Sequence, residues 1–243
     1  MVCLIGVSLL KRPVSSFSIK DKNTQIEQAK TYGDSVVGWL EIEGTNIDLP
    51  LIRATSTTDL LSTTYDFAWT NSNPDAKSNR PAFISHNILN VSSNPLITNE
   101  AHRRFEQLMS FIYPSFIKKH QFIAYTNEQG KTYLYRIYGV SLVKDNQEAA
   151  FLDTYTLKEQ EAYIQKVAKE SMYQIKTDVA KEDKLLTLFT CTRFYGVDTS
   201  YSFRVDARRL RDNEEKTYAV VKTNKNYQKI KKRMKEGETN EKI

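Results

Sequence analysis

The chain has 243 residues, 40% hydrophobic and 26% charged, which excludes a disordered, collagen-like or fibrous protein. Its net charge of +6 is concentrated between Lys222 and Lys235, which hold seven basic residues and no acidic one. With no helix-turn-helix, zinc-finger or RNP pattern beside it, that run reads as a solvated, partly helical tail and not as a nucleic-acid reader. Three segments are expected: an apolar stub and linker over 1–21, one domain over 22–212, and a basic polar tail over 213–243.

The stub opens with ten mostly apolar residues followed by Lys11-Arg12-Pro13. Ten residues are too few to span a bilayer, and a signal peptide would carry its positive charge before the apolar run. We read it as the trailing part of a membrane anchor. Thr24–Tyr32 is expected as a short helix capped by Asn23 or Thr24 and ended by Gly33. Val36–Glu43 alternates as a strand, Gly44-Thr45-Asn46 turns, and Ile47–Arg53 is a second strand whose Pro50 favours an edge or bulge. Thr57–Tyr65 reads as a short helix or turn and Asn71–Arg80 as a polar loop. Pro81–Ser85 is a brief apolar strand running into His86. Ala101–Met109 and Tyr113–Lys119 are expected helices. Gln121–Thr126 and Thr132–Val143 form a hairpin around Gly130. Leu157–Met172 has a helical apolar period at 157, 163, 164, 167 and 168. Leu185–Cys191 is a buried strand, Thr192–Ser200 a polar loop, and Tyr201–Leu210 the last strand. The order is mostly β with inserted helices, as in a closed or nearly closed barrel.

Only two cysteines are present, Cys3 and Cys191. They make no disulfide framework and no CxxC spacing. No HExxH, EF-hand, P-loop or GxGxxG pattern exists, so no metal, nucleotide or other cofactor is expected. Cys191 ends an apolar strand at the lip of a loop. A nucleophile needs such a place, rigid on one side and open on the other, with positive charge nearby to favour the thiolate. Alone, a free cysteine on such a strand is as readily an inert core residue. Three histidines compete as its proton-transfer partner. His102 sits among charges on a helix, and His120 closes a helix where an imidazolium would meet the dipole. His86, at a strand end like Cys191, is the best placed. Arg204 lies on the strand after Cys191. If the intervening stretch is a hairpin, Arg204 returns beside the sulfur as an oxyanion or carbonyl donor. Arg193 is expected to point into the loop, and Arg208, Arg209 and Arg211 are expected as solvated surface.

These residues resemble a known family. Thr187-Leu-Phe-Thr-Cys191 looks like the TLxTC signature of sortases, and Ile84-Ser-His-Asn87 looks like the segment of their catalytic His, with Ser85 where Gly is usual. Phe203–Leu210 is similar to their final strand, and Val37–Pro50 resembles their opening strands. The helices before the barrel and before the Cys strand, with Phe105–Leu108 and Phe116–His120, fit class B sortases. The resemblance covers about residues 24–210. It implies an eight-stranded sortase β-barrel with an N-terminal helix and a helix before the Cys strand. It implies a transpeptidase with Cys191 as nucleophile, His86 as proton-transfer group and Arg204 holding the oxyanion or the substrate backbone. Thr190, Asn87 and Ser85 are the implied substrate contacts. The separation of 13 residues between Cys191 and Arg204 implies an enlarged loop beside the site. Implied partners are surface proteins or pilins with a C-terminal sorting motif, and an amine from peptidoglycan or a pilin lysine. The implied location is the extracellular face of a Gram-positive membrane, through the N-terminal anchor. Two other readings share the residues: a cysteine peptidase transferring to water, and a non-catalytic extracellular β-barrel binding module with an inert Cys191.

Overall fold

The structure is a computed structural model that describes residues 13–31, 35–54, 67–72, 74, 80–87, 105–144, 155–192, 194–195 and 201–240. Of residues 235–240 it describes the backbone alone. The apolar stub to residue 12, the expected 57–65 element, His102, Arg193 and most of the 192–200 loop lie outside these residues. Among the described residues no helix is long and apolar enough to cross a membrane.

Helix α1 (Asn23–Lys30) carries Ile26 and Ala29 on one buried face. These pack with Val36, Ile52, Ala54 and Trp69 in a small core of their own. The expected cap residues do not cap it. Lys22 holds the N-cap position, and the Asp21 carboxylate instead accepts from the Asn23 backbone N–H at 2.9 Å.

Eight strands then close a mixed barrel: β1 (Val36–Ile42), β2 (Asp48–Arg53), β3 (Ala68–Thr70), β4 (Ala82–Ile84), β5 (Phe122–Asn127), β6 (Thr132–Lys144), β8 (Leu185–Thr192) and β9 (Tyr201–Arg209). Their order around the wall is β1-β2-β3-β4-β8-β9-β6-β5. This matches the expected eight-stranded barrel. The β2–β3 and β4–β8 contacts are parallel and the other pairings antiparallel. Alternation along β1 sends Leu40 and Ile42 inward, and Leu49, Leu51, Leu186, Leu188, Val205 and Ala207 join them in the core. Pro50 stands opposite Trp39 on β1, while pairing with β3 begins only at Leu51. The missing N–H therefore falls where β2 has one neighbour.

Between β4 and β5 the chain forms a 3-10 helix (Phe105–Ile112), shifted from the expected 101–109 element, and the short α2 (Pro114–Ile117). His120, after α2, is no dipole-bound imidazolium. Burial lowers its pKa, with Glu43 working against the shift and Lys119 with it, so the ring is neutral at pH 7.

Helix α3 (Leu157–Glu170) starts at a capping box between Thr156 and Glu159. Its buried residues are Gln160, Tyr163 and Val167, while the predicted stripe residue Leu157 is exposed. Gln160 is buried because its Nε2 donates to the Lys181 and Asp183 carbonyls at 2.6 and 2.8 Å. The helix lies directly on β6: a Cβ at Gly139 would stand 2.2 Å from the Val167 side chain.

Beyond residue 212, where a polar tail was expected, the chain remains part of the fold. Strand β10 (Val221–Thr223) pairs with β7 (Tyr173–Ile175), and α4 (Lys225–Asn240) buries Tyr227 and Ile230 in the main core. Its basic residues face solvent, but Tyr227, Ile230 and Met234 recur at helical spacing and supply an apolar stripe. The surface expected for Arg208 is also corrected. It is 1% exposed, and its two terminal nitrogens donate to Glu214 at 2.6 and 2.7 Å. Alternation places it on the β9 face that α3 and the 211–215 turn cover.

Candidate active site

Strands β4 and β8 run parallel, with Ala82 opposite Thr187, Phe83 opposite Leu188 and Ile84 opposite Phe189. The pairing continues past the end of β4. The Ser85 N–H donates to the Phe189 carbonyl at 3.4 Å, and the Thr190 hydroxyl to the Ser85 carbonyl at 2.9 Å. One step on, His86 comes level with Cys191, and the Asn87 side-chain amide donates to the Cys191 carbonyl at 3.2 Å. Side chains alternate along a strand, so Phe189 and Cys191 share the face opposite core residue Leu188. His86 shares that face through Ile84. The two sequence-predicted catalytic residues are thus brought together at one end of a parallel pair.

Cys191 is a free, exposed thiol, whereas Thr190 and Thr192 on either side are buried. A rigid strand therefore presents sulfur to solvent at its last turn outward. His86 is half-buried and packs edge-on against Trp69 of β3, with ring centroids 4.8 Å apart and planes at 63°. Trp69 is itself buried and stands opposite Ile84. Its contact limits how the imidazole can turn. The sequence reading missed Trp69 because β3 is three residues long, too short for any alternation to register.

The expected substrate contacts Thr190, Ser85 and Asn87 are engaged within the fold. The Thr190 hydroxyl is on the Ser85 carbonyl, and the Ser85 hydroxyl donates to the Phe67 carbonyl at 2.8 Å. Thr190 and Ser85 are buried, and Asn87 stays half-buried beside the Cys191 backbone. All three hold the histidine strand against the cysteine strand.

Arg204 returns on β9, as a hairpin would bring it, but one pair further along. It stands opposite Phe189, while Ser202 is opposite Cys191. Arg204 is 3% exposed. Its Nε donates to Asp206 at 2.7 Å, on the side away from Cys191, and one terminal nitrogen donates to Glu170 at 2.9 Å. Burial alone would lower its pKa, but Asp206, Tyr163 and Glu170 raise it, and the balance is upward. It is a permanent cation below the Cys191 row. Asp206 also accepts from the Tyr163 hydroxyl at 2.6 Å and the Thr187 hydroxyl at 3.0 Å. Burial, with Asp206 beside it, pushes the Tyr163 phenol well up, so it stays a donor.

On the side of Arg204 away from β4, a cavity of about 590 Å³ opens between α3, α4 and the ends of β6, β8 and β9. A strand-end thiol, an imidazole level with it and an adjoining cavity can carry out acyl transfer through a thioester.

The Sortase domain family model matches residues 40–210. Sortase B of Staphylococcus aureus (strain NCTC 8325 / PS 47) is 21% identical over 182 residues, 72% of this chain and 70% of the relative. The sortase B structure from Clostridium perfringens is similar with a TM-score of 0.62 at 18% identity, covering 76% of this chain and 99% of that one. The sortase B from the type II pilus of Streptococcus pneumoniae gives 0.58 at 19% identity, covering 75% and 97%.

Proposed function

The chain belongs to the sortase family, class B-like within it, and from that premise we propose that it is a cysteine transpeptidase working through Cys191 and His86. The observation that carries the assignment is the parallel β4–β8 pair, which ends with both residues on one face. In the first half-reaction the Cys191 thiolate attacks the scissile carbonyl carbon of a C-terminal sorting motif. The C–N bond breaks as His86 gives a proton to the leaving amine, and a thioester remains on Sγ. In the second, an incoming amine attacks the thioester carbonyl, His86 takes its proton, and Cys191 leaves as thiolate. One amide is lost and one gained, with no water consumed.

The donor is a surface protein or pilin, and the acceptor an amine of the cell wall or of a pilin, met at the outer face of the membrane. Arg204 acts in this scheme as a fixed cation beneath the acyl group, positioned through Asp206 and Glu170. Ser85, Asn87 and Thr190 position His86 against Cys191.

The test is incubation with Thr-containing sorting-motif peptides, with and without triglycine, followed by intact-mass spectrometry. The expected result is a thioester adduct on the wild type and none on Cys191→Ala, with triglycine appearing in the product. Hydrolysis unaffected by any amine would replace the transpeptidase with a peptidase. A Cys191 that alkylates at the rate of a free thiol and forms no adduct would leave a binding module.

A further inference from the structure

We propose that the cavity beside the Cys191 row is a basic recognition pocket for acidic residues of the acyl donor, upstream of its scissile bond. The proposal rests on the roles given to Cys191 and His86 above, and adds a substrate preference to them.

Placement decides which part of the substrate the cavity meets. The row across the sheet runs His86, Cys191, Ser202, Val143, since Ser202 pairs with Cys191 on one side and with Val143 on the other. Val143, Phe189 and Arg204 line the cavity. It therefore lies on the far side of Cys191 from His86. His86 must reach both the leaving and the incoming amine, so both belong on the β4 side. The chain carrying the acyl carbon is left to run toward β9 and β6, into the cavity.

Charge decides what the cavity holds. Lys144 of β6, Lys166 and Lys169 of α3 and Lys229 of α4 line it, with Glu170 its one lining carboxylate among the described residues. Glu170 is engaged by Arg204 at 2.9 Å. Among the described residues none of the four lysines has a carboxylate within ion-pair distance. The frame that carries them is fixed. Asn226, at the start of α4, donates to the Lys169, Glu170 and Ser171 carbonyls at the end of α3, at 2.9, 3.2 and 3.1 Å. Three separate elements thus aim like charges into one concavity, which raises the local potential for an anion. The floor is apolar, with Phe189, Tyr201 and Ile230, and suits the stems of Glu or Asp side chains. The basic run of α4, which the acyl-transfer chemistry leaves without a task, acquires one here.

The test uses the full chain as Cys191→Ala, so that binding is read without turnover. Two fluorescent sorting-motif peptides are compared, with Glu or with Gln at the positions before the motif. The Glu peptide is expected to bind tighter, by about two- to fivefold for each lysine engaged, and the advantage shrinks as salt rises. Lys169→Glu/Lys229→Glu is expected to erase the advantage while the wild-type alkylation rate of Cys191 is kept. In the active enzyme the effect falls on KM and leaves kcat. Equal binding of the two peptides overturns the proposal, as does an advantage that survives the double reversal. Loss of binding to anionic lipid vesicles in the double variant, with peptides unaffected, also overturns it and assigns the charge to a membrane. Failure to form an acyl-enzyme would sink the catalytic reading alone, since the peptide comparison is made without it.

Discussion

Replacing Arg204 by Ala separates a structural cation from a catalytic donor. The side chain is 3% exposed and its main partner, Asp206, is fully buried. Removing one member of a buried ion pair costs about 3–5 kcal/mol, because the other charge is left without compensation. Two facts reduce that here. Asp206 keeps the hydroxyls of Tyr163 and Thr187. Glu170, at 33% exposure, is resolvated by water. A loss of about 2–4 kcal/mol follows, which for a chain of this size is a Tm lower by about 6–12 °C. Thermal unfolding by circular dichroism, with urea titration for the free energy, measures it. Arg204→Ala/Asp206→Asn removes the orphaned charge and recovers much of the loss. At 20 °C, well below the lowered Tm, Arg204→Ala retains measurable acyl-enzyme formation. A wild-type Tm together with a fall of about 10²–10³ in kcat, the size expected for a lost oxyanion donor, would refute this reasoning and make Arg204 the direct donor.

His86→Ala is expected to lower the acylation rate by about 10²–10⁴-fold with Tm unchanged, as read by single-turnover mass spectrometry. Trp69→Leu, which removes the ring edge that His86 packs on, lowers kcat by a smaller factor and leaves KM in place. Thr190→Val deletes the hydroxyl bond to Ser85 and costs about 1–2 kcal/mol in urea unfolding, since a buried carbonyl loses its donor. Glu214 is held down to about 2, first by hydrogen bonds from Arg208 and against burial. Its folded pKa is depressed, so its contribution is full above the unfolded value near 4.5 and is lost as pH falls toward 2. Glu214→Gln should flatten stability by ~2–3 kcal/mol across that window, measured by urea unfolding at a series of pH values.

The barrel was legible because its long strands carry their own period: β1, β6, β8 and β9 each expose an alternation that no helix would give. The short strands β3, β7 and β10 were not, since three residues hold no period and tertiary pairing alone makes them strands. Cys191 and His86 could be found from strand ends and a familiar motif. The register that sets them level could not, because parallel pairing leaves no local mark. The same gap misplaced Arg204. Its position on β9 was read correctly, but whether it faced Cys191 or Phe189 depended on a register fixed by the whole sheet. Arg208 was misread because a run of arginines looks like surface, and the carboxylate that buries it, Glu214, follows only after a turn. For α4 the density of charge hid three apolar residues at helical spacing.

The bond from Thr190 to Ser85 joins residues 105 apart in sequence. Such a contact forms late in folding, after the intervening chain has been ordered, and parallel closures of this span are slow. Strands β1, β2 and β5 to β6 can assemble through nearer neighbours before β4 meets β8. Reactivity at Cys191 is thus a reporter of barrel closure: during refolding, recovery of acyl-enzyme formation should trail the return of tyrosine and tryptophan burial.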